Sequence, residues 1–210
     1  MALEIEREYV YDTYQKIANG FSKTRTYLWK GVKQFLNKVE PYSIIVEIGS
    51  GNGKNLLYRK DCINMAFDLC ENFTKITNER GIESIVSNNL NIPMADNSAD
   101  YVLSIAVVHH LYTVERRLQS IKELIRILKP GGKLLIQVWA MRQPEKSRRK
   151  FVIQDNFVEF NSSDKILCEK RFYHVFREGE LEALVGCISD IIIIDSYWEM
   201  GNWVMIIEKL

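Results

Sequence analysis

From Ser43 onward the chain repeats one pattern: a short apolar, β-branched run, then a stretch with helical spacing. The runs are "SIIVEIG", "CINMAFD", "IESIVSN", "ADYVLSIAVV" and "KLLIQVWA". Segments 52–59, 70–80 and 113–128 lie between them and read as helices. In 113–128, Leu118, Ile121, Leu124, Ile125 and Leu128 form one apolar face, and "KPGG" is expected to stop the helix. Near-continuous apolar strands are buried on both faces, so strands alternating with helices predict an α/β fold with a parallel sheet covered on both sides. After a helix over 177–187, "DIIIIDSYW" and "NWVMIIEK" are close enough to form an antiparallel pair at one edge. The first 40 residues read as two helices. Ile5, Tyr9, Thr13, Ile17 and Phe21 share a face of the first; Leu28, Val32, Phe35, Leu36 and Val39 mark the second. Segment 151–176 reads as short irregular strands. The whole of 1–210 is expected to form one domain.

A formal net charge of +1 excludes a nucleic-acid binder by bulk charge, but not a local basic patch. "MRQPEKSRRK", 141–150, is such a patch, with a solvated loop as its alternative reading. The start, "MALEIEREYVYD", has no secretory character, and no apolar run reaches the roughly 20 residues of a membrane span. Cys62, Cys70, Cys168 and Cys187 lack CxxC spacing and are expected as reduced thiols of a cytoplasmic protein, the nucleus staying open as a second location.

"VEIGSGNGKNL" puts Gly49, Gly51 and Gly53 at a strand-to-helix turn, where backbone comes close to a ligand. The spacing is neither the dinucleotide fingerprint nor a phosphate loop. Glu47 precedes the turn, and Asp68 ends the second strand nineteen residues after Gly49. An acid at the second position accepts ribose hydroxyls. An acid beside the glycines would repel a pyrophosphate and suits an ammonium group. S-adenosylmethionine has the ribose, the amino-acid tail and no phosphate.

"EIGSGNG", "FD" and "LKPGGKLLI" resemble the class I S-adenosylmethionine-dependent methyltransferases. That resemblance implies a Rossmann-like sheet of order 3-2-1-4-5-7-6 with the seventh strand antiparallel. "EREYVYDTYQKIANGFSKTR", "SIAVVHHLYTVERR", "QVWA", "RFYHVFREGELEALV" and the terminal "NW" are similar to a narrower family, the eukaryotic tRNA wobble-uridine carboxymethyl methyltransferases, from Glu6 to Trp203. Those enzymes convert 5-carboxymethyluridine to its methyl ester. The resemblance implies a donor site of Glu47, Gly49, Ser50, Gly51, Gly53 and Asp68, continued by Asn88, Asn89, Leu90 and Ala106. It departs from the family at Glu47 and Ser50 (usually Asp and Cys), at Asn88 (usually Asp), in a short tract after Trp139, and in "FVEF", 157–160, which replaces Val-Pro-Trp. Residues 1–40 would form part of the substrate mouth and 141–176 a substrate-side insertion.

His109 and His110 end the fourth run. Ligands of open α/β sheets sit outside the carboxyl ends of the strands, so this pair is expected beside the transferred methyl. Neighbours on a strand point to opposite faces, and the cysteines match no zinc spacing, so no metal is expected; one histidine should face the site and the other pack or cap. A carboxylate acceptor is already ionised at neutral pH and needs no general base. Positioning then carries the rate, a source able to supply roughly 7–11 kcal/mol. His109 or His110, Trp139, Tyr173 and Arg25 are the candidate acceptor residues, with Arg171 and His174 at the same mouth. Arg25 has two further readings, a surface residue or a holder of the methionine carboxylate. Arg148, Arg149 and Lys150 are expected to meet tRNA phosphates, and Arg25 and Arg171 to contact the tRNA substrate at the mouth.

Two other functions fit the same residues: a small-molecule methyltransferase, or a methyl-donor-binding scaffold without turnover. The implied sheet order leaves Ile82–Asn88 as an edge strand with a single charge, Glu83, and edges of this kind invite strand addition. By resemblance, the partner is a small zinc-binding methyltransferase activator, giving a heterodimer.

Overall fold

The computed structural model describes residues 1–161 and 168–210. The chain opens with helix α1 (Ala2–Glu6), a π-helical turn over Arg7–Asp12, and helix α2 (Thr13–Lys23), followed by α3 (Lys30–Leu36). Then come β1 (Ile44–Ile48), β2 (Ile63–Asp68), α4 (Glu71–Glu79), β3 (Glu83–Val86), β4 (Ala99–Ile105), α5 (Val114–Ile127) and β5 (Leu128–Trp139). A hairpin of β6 (Asp155–Asn161) and β7 (Cys168–His174) precedes α6 (Glu180–Val185), β8 (Ile191–Glu199) and β9 (Asn202–Lys209). Seven strands form one sheet in the order β3-β2-β1-β4-β5-β9-β8. The β1, β2, β3, β4 and β5 pairings are parallel, and β9 runs antiparallel to both β5 and β8. This is the order implied by the resemblance, with β9 as its seventh strand. Among the described residues no helix is long and apolar enough to cross a membrane.

The apolar runs explain the two-faced core. Ile121, Leu124, Ile125 and Ile127 of α5 pack with Val46, Val102, Leu134 and Ile136 on one face. Val32, Phe35 and Leu36 of α3 pack with Ile45, Leu103 and Leu135 on the other. Successive strand residues feed opposite faces, so each strand serves both layers.

Four sequence expectations change. Residues 52–59 hold only a 3-10 turn, Leu56–Tyr58, because Asn55 turns back to donate to Glu47 Oε1 at 2.6 Å and the chain must reach β2 by Ile63. Helix α5 ends at Ile127, ahead of "KPGG": Leu128 is already extended and pairs with Ala99, so the glycines lie inside β5. Residues 151–176 contain a regular antiparallel hairpin, with residues 162–167 outside the described part. The fourth strand stops at Ile105, so His109 and His110 belong to a 3-10 turn, Val108–His110, and strand alternation does not govern them.

Strand β3 is the sheet edge, with Ile85 and Val86 exposed. The edge is not wholly bare. Asn78 of α4 accepts from Ser84 N–H through Oδ1 and donates to Ser84 O through Nδ2. Ser87 N–H donates inward to Asp68 O, so alternation turns Ile85 N–H inward and leaves Val86 N–H on the open side.

Candidate active site

One cavity of about 490 Å³ opens at the carboxyl ends of β1, β2, β4 and β5. Its donor half is built on the glycine turn. Gly49 has φ +72, and a Cβ there would stand 2.3 Å from Val107 Cγ2, so no larger residue fits. Gly51, at φ +55, has nothing within 4 Å of its missing Cβ, which leaves space for a ligand against the backbone. Asp68 holds the turn from β2: Oδ2 accepts from Gly51 N–H at 2.8 Å and Oδ1 from Cys70 N–H at 2.9 Å. Burial nevertheless pushes its carboxyl up to about 6. Glu47 is buried, with Oε1 bound by Asn55 and Oε2 unpartnered. Burial pushes it up to about 8. Asn52 ties the turn to the N-terminal helices by donating to Ser22 O and Arg25 O.

The acceptor half lies over β4, β5 and β7. Ala106 takes φ +62, an uncommon conformation for a residue with a Cβ, and turns the chain from β4 into the histidine turn. His110 Nδ1 lies 2.7 Å from Phe172 O, so that nitrogen carries the proton and Nε2 is an acceptor. Tyr14 Oη donates to Nε2 at 3.0 Å, Tyr173 Oη stands 3.3 Å from Tyr14 Oη, and Arg171 donates to Tyr173 Oη at 2.7 Å. All donors therefore run one way, from Arg171 through Tyr173 and Tyr14 to His110. Burial holds His110 neutral, down to about 3. Tyr173 stacks on Trp139 with centroids 4.0 Å apart, and the Arg149 guanidinium lies 4.3 Å from the Trp139 centroid. Among the described residues, none of Arg25, Arg149 and Arg171 forms a salt bridge.

Helices α1 and α2 and the π-helical turn between them roof the cavity, with Glu6, Val10, Tyr11 and Tyr14 in its lining. Glu6 anchors the roof: Arg116 donates from Nε and Nη2, the latter at 2.6 Å, and Tyr112 N–H donates at 2.8 Å.

Residues 46–136 match the methyltransferase domain family. Over its full length the chain is 36% identical to the tRNA (carboxymethyluridine(34)-5-O)-methyltransferase of Schizosaccharomyces pombe, and the alignment spans all of that protein. The chain belongs to the tRNA (carboxymethyluridine(34)-5-O)-methyltransferase family. It is also 34% identical to the Xenopus tropicalis tRNA (carboxymethyluridine(34)-5-O)-methyltransferase alkbh8, matching with its whole length 42% of that relative; it spans less than half of that longer protein. SAM-bound CalS10, an amino pentose methyltransferase from Micromonospora echinaspora, shares the fold, with a TM-score of 0.66, 14% identity, and coverage of 94% of this chain and 97% of that one.

Against the methyltransferase family pattern, the residues fit S-adenosylmethionine. Glu47 keeps an acid with a buried unpartnered oxygen, Ser50 Oγ is likewise unpartnered, and Gly51 leaves open space. Glu47, Gly49, Ser50, Gly51, Asp68, Asn88, Asn89 and Ala106 all line the cavity. Two predicted donor residues do not. Gly53 packs under the turn, where a Cβ would stand 2.8 Å from Thr77 Cγ2, and Leu90 donates its N–H to Asn88 Oδ1. That bond takes one lone pair of the Asn88 oxygen and leaves the other, with the amide nitrogen, for a ligand.

Of the acceptor candidates, Arg25, His110, Trp139, Tyr173 and Arg149 line the cavity. His109 does not; it is fully buried, and its Nδ1 accepts from Trp139 N–H at 3.0 Å, fixing the end of β5. His174 is a correction: alternation along β7 turns it away from Tyr173, and Asp155 and Glu180 hold its two nitrogens at 2.7 Å. Arg171 is buried within reach of the Phe21, Phe160 and Tyr173 rings, which makes it a support of Tyr173 and removes it from the tRNA surface. Arg149 is exposed, but turns its guanidinium over the Trp139 ring. Arg148 and Lys150 stay exposed, with Lys150 Nζ donating to Glu145 O. The sequence reading missed Tyr14 and Gln137. Gln137 is buried in the cavity lining, and neither end of its carboxamide has a partner among the described residues.

Proposed function

We propose that this chain transfers a methyl group from S-adenosylmethionine to the carboxylate of 5-carboxymethyluridine at the tRNA wobble position. The observation that carries the reading is the continuity of the cavity. A donor half with two acids joins an aromatic half whose arginines have no carboxylate of their own among the described residues. When bound, S-adenosylmethionine supplies an electrophilic methyl. Glu47 is suited to its ammonium and Asp68 to its ribose hydroxyls.

The acceptor carboxylate is ionised at neutral pH, so the chain has no proton to remove. His110 fits that requirement: Nδ1 is committed to Phe172 O and Nε2 to Tyr14. It positions Tyr14 and Tyr173 and does not act as a base. Trp139, Tyr173 and the roof helices exclude water around an opposite-charge reaction, and Arg25 and Arg149 supply a positive field. A wobble base out of the anticodon stack finds aromatic surface at this mouth. The test is mass spectrometry of tRNA nucleosides after incubation with labelled donor and the chain, alone and together with its activator. Gain of one labelled methyl on 5-carboxymethyluridine is expected; unchanged nucleosides would end this reading.

A partner belongs to the same proposal. Ile85 and Val86 on β3, with Ile63 and Leu69 from β2 and its following turn, give this end of the sheet exposed apolar side chains, and Val86 N–H faces outward. A small zinc-binding methyltransferase activator adding a strand there would complete a heterodimer. A cytoplasmic location is part of this reading, and four unpaired thiols are consistent with a reducing compartment.

A further inference from the structure

Gln137 sits on β5 with Ile105 of β4 and Val204 of β9 as its register partners. It is 1% exposed, yet neither Oε1 nor Nε2 has a hydrogen-bond partner among the described residues. Its backbone carbonyl accepts from Ala106 N–H at 2.8 Å, which fixes the strand beneath the side chain. A buried carboxamide with an unmet donor and an unmet acceptor is costly unless a ligand or water meets both. Gln137 lines the cavity, so the site offers that ligand.

Which ligand follows from position and chemistry. Gln137 lies two strands from β1, about 10 Å across the sheet from the glycine turn that β1 carries. It shares a face of β5 with Trp139, two residues on, whose ring stacks on Tyr173. A carboxamide presents one acceptor beside one donor. The imide edge of uracil presents one N–H beside a carbonyl, the matching pair. The fit holds whichever way the amide is turned, because the ring N–H has a carbonyl on each side.

We propose that Gln137 holds the pairing edge of the acceptor base, accepting from the uracil N3–H and donating to an adjacent ring carbonyl. This rests on the acceptor being a wobble uridine and adds the residue that orients it. The edge is available only when the base is unpaired, so Gln137 also makes an extruded base the competent substrate. Gln137 is a positioning residue for the carboxylate.

The test compares two anticodon stem-loop RNAs, one with 5-carboxymethyluridine at the wobble position and one with its N3-methylated form. The full chain is used, with its activator if turnover requires one. In the wild type, N3-methylation is expected to lower kcat/KM roughly 10- to 100-fold, the cost of an unmade buried hydrogen bond. Gln137→Ala should lose a similar factor on the unblocked RNA and lose the discrimination, accepting both RNAs within about twofold. Gln137→Glu keeps an acceptor for N3–H and should keep the discrimination. Calorimetry with S-adenosylhomocysteine checks that the donor half of each variant is intact. Full discrimination by Gln137→Ala, or none by the wild type, overturns the assignment. So does a Gln137→Ala defect confined to donor affinity. If the wild type methylates neither RNA, the wobble-uridine reading fails and this assignment with it.

Discussion

Glu47 ties donor binding to pH. Its carboxyl is buried with one unpartnered oxygen, and burial moves it from an ordinary 4.5 to about 8. Between those values the folded chain holds a proton that the unfolded chain has lost. The unfolded state then binds fewer protons, so stability falls as pH rises through this window and levels above about 8. A displacement of that size corresponds to roughly 5 kcal/mol as an upper bound. Asp68 adds a smaller slope of the same sign between 3.8 and about 6. Binding an ammonium group requires the Glu47 carboxylate, so well below pH 8 each binding event releases close to one proton, falling to about half of one at pH 8. Donor affinity should rise by up to about tenfold per pH unit from 6 to 8. Glu47→Gln mimics the protonated side chain: its melting temperature should vary less with pH than the wild type's, and its donor affinity should be low and nearly independent of pH. Thermal melts from pH 5.5 to 8.5, with calorimetry in two buffers of different ionisation enthalpy, count the protons directly. Binding without proton release, or normal affinity in Glu47→Gln, would refute the reasoning.

Other outcomes follow from the same geometry. Asp68→Ala removes the acceptor placed for the ribose and should weaken donor binding by about 1–3 kcal/mol on calorimetry; unchanged affinity removes Asp68 from the site. Tyr14→Phe leaves His110 Nε2 without a donor and should lower kcat while leaving donor affinity near wild type; an unchanged kcat would separate the hydroxyl relay from turnover. Arg149→Gln should lower methyl transfer without flattening the salt dependence of tRNA binding, whereas the double variant Arg148→Gln/Lys150→Gln should flatten it, by roughly 0.7 in the log–log slope for each phosphate no longer neutralised; the reverse pattern returns Arg149 to the phosphate surface. Val86→Pro removes the outward N–H of β3 and should weaken activator binding in a pull-down, while Ile85→Pro should damage β2 pairing and lower the melting temperature; the opposite ranking would reverse the strand's facing.

Much of the frame was legible because each buried strand wrote an unbroken apolar run and each helix a spaced one. The antiparallel β8–β9 pair was visible from the short link between two such runs. The first crossover was misread because "GKNLLYRK" has helical composition, and nothing local shows that Asn55 must turn back to Glu47. The histidine pair was misplaced for a similar reason: "SIAVV" continues the strand pattern, but Ala106 leaves it at a positive φ. In the site, the glycine turn and its two acids carried their own spacing signal. Tyr14 and Gln137 carried none, since a tyrosine on an amphipathic helix and a lone glutamine in a strand are ordinary. The π-helical turn over Arg7–Asp12 also breaks the simple four-residue face that the N-terminal helix was expected to keep. His174 looked like a third site histidine only because sequence proximity to Tyr173 hides the alternation that separates them.

The N-terminal roof has a consequence for tempo. On the proposed function, spent donor would leave from beneath Val10, Tyr11 and Tyr14, residues that line the cavity together with the Glu6–Arg116 ion pair. Residence time on the protein would then depend on how often that pair lets go, and steps of this kind commonly limit turnover in closed active sites. A loosened clasp, as in Glu6→Gln, would shorten the stay of substrate and by-product alike. Steady-state rate would rise while grip on scarce donor falls, so the strength of one ion pair sets a compromise between speed and economy.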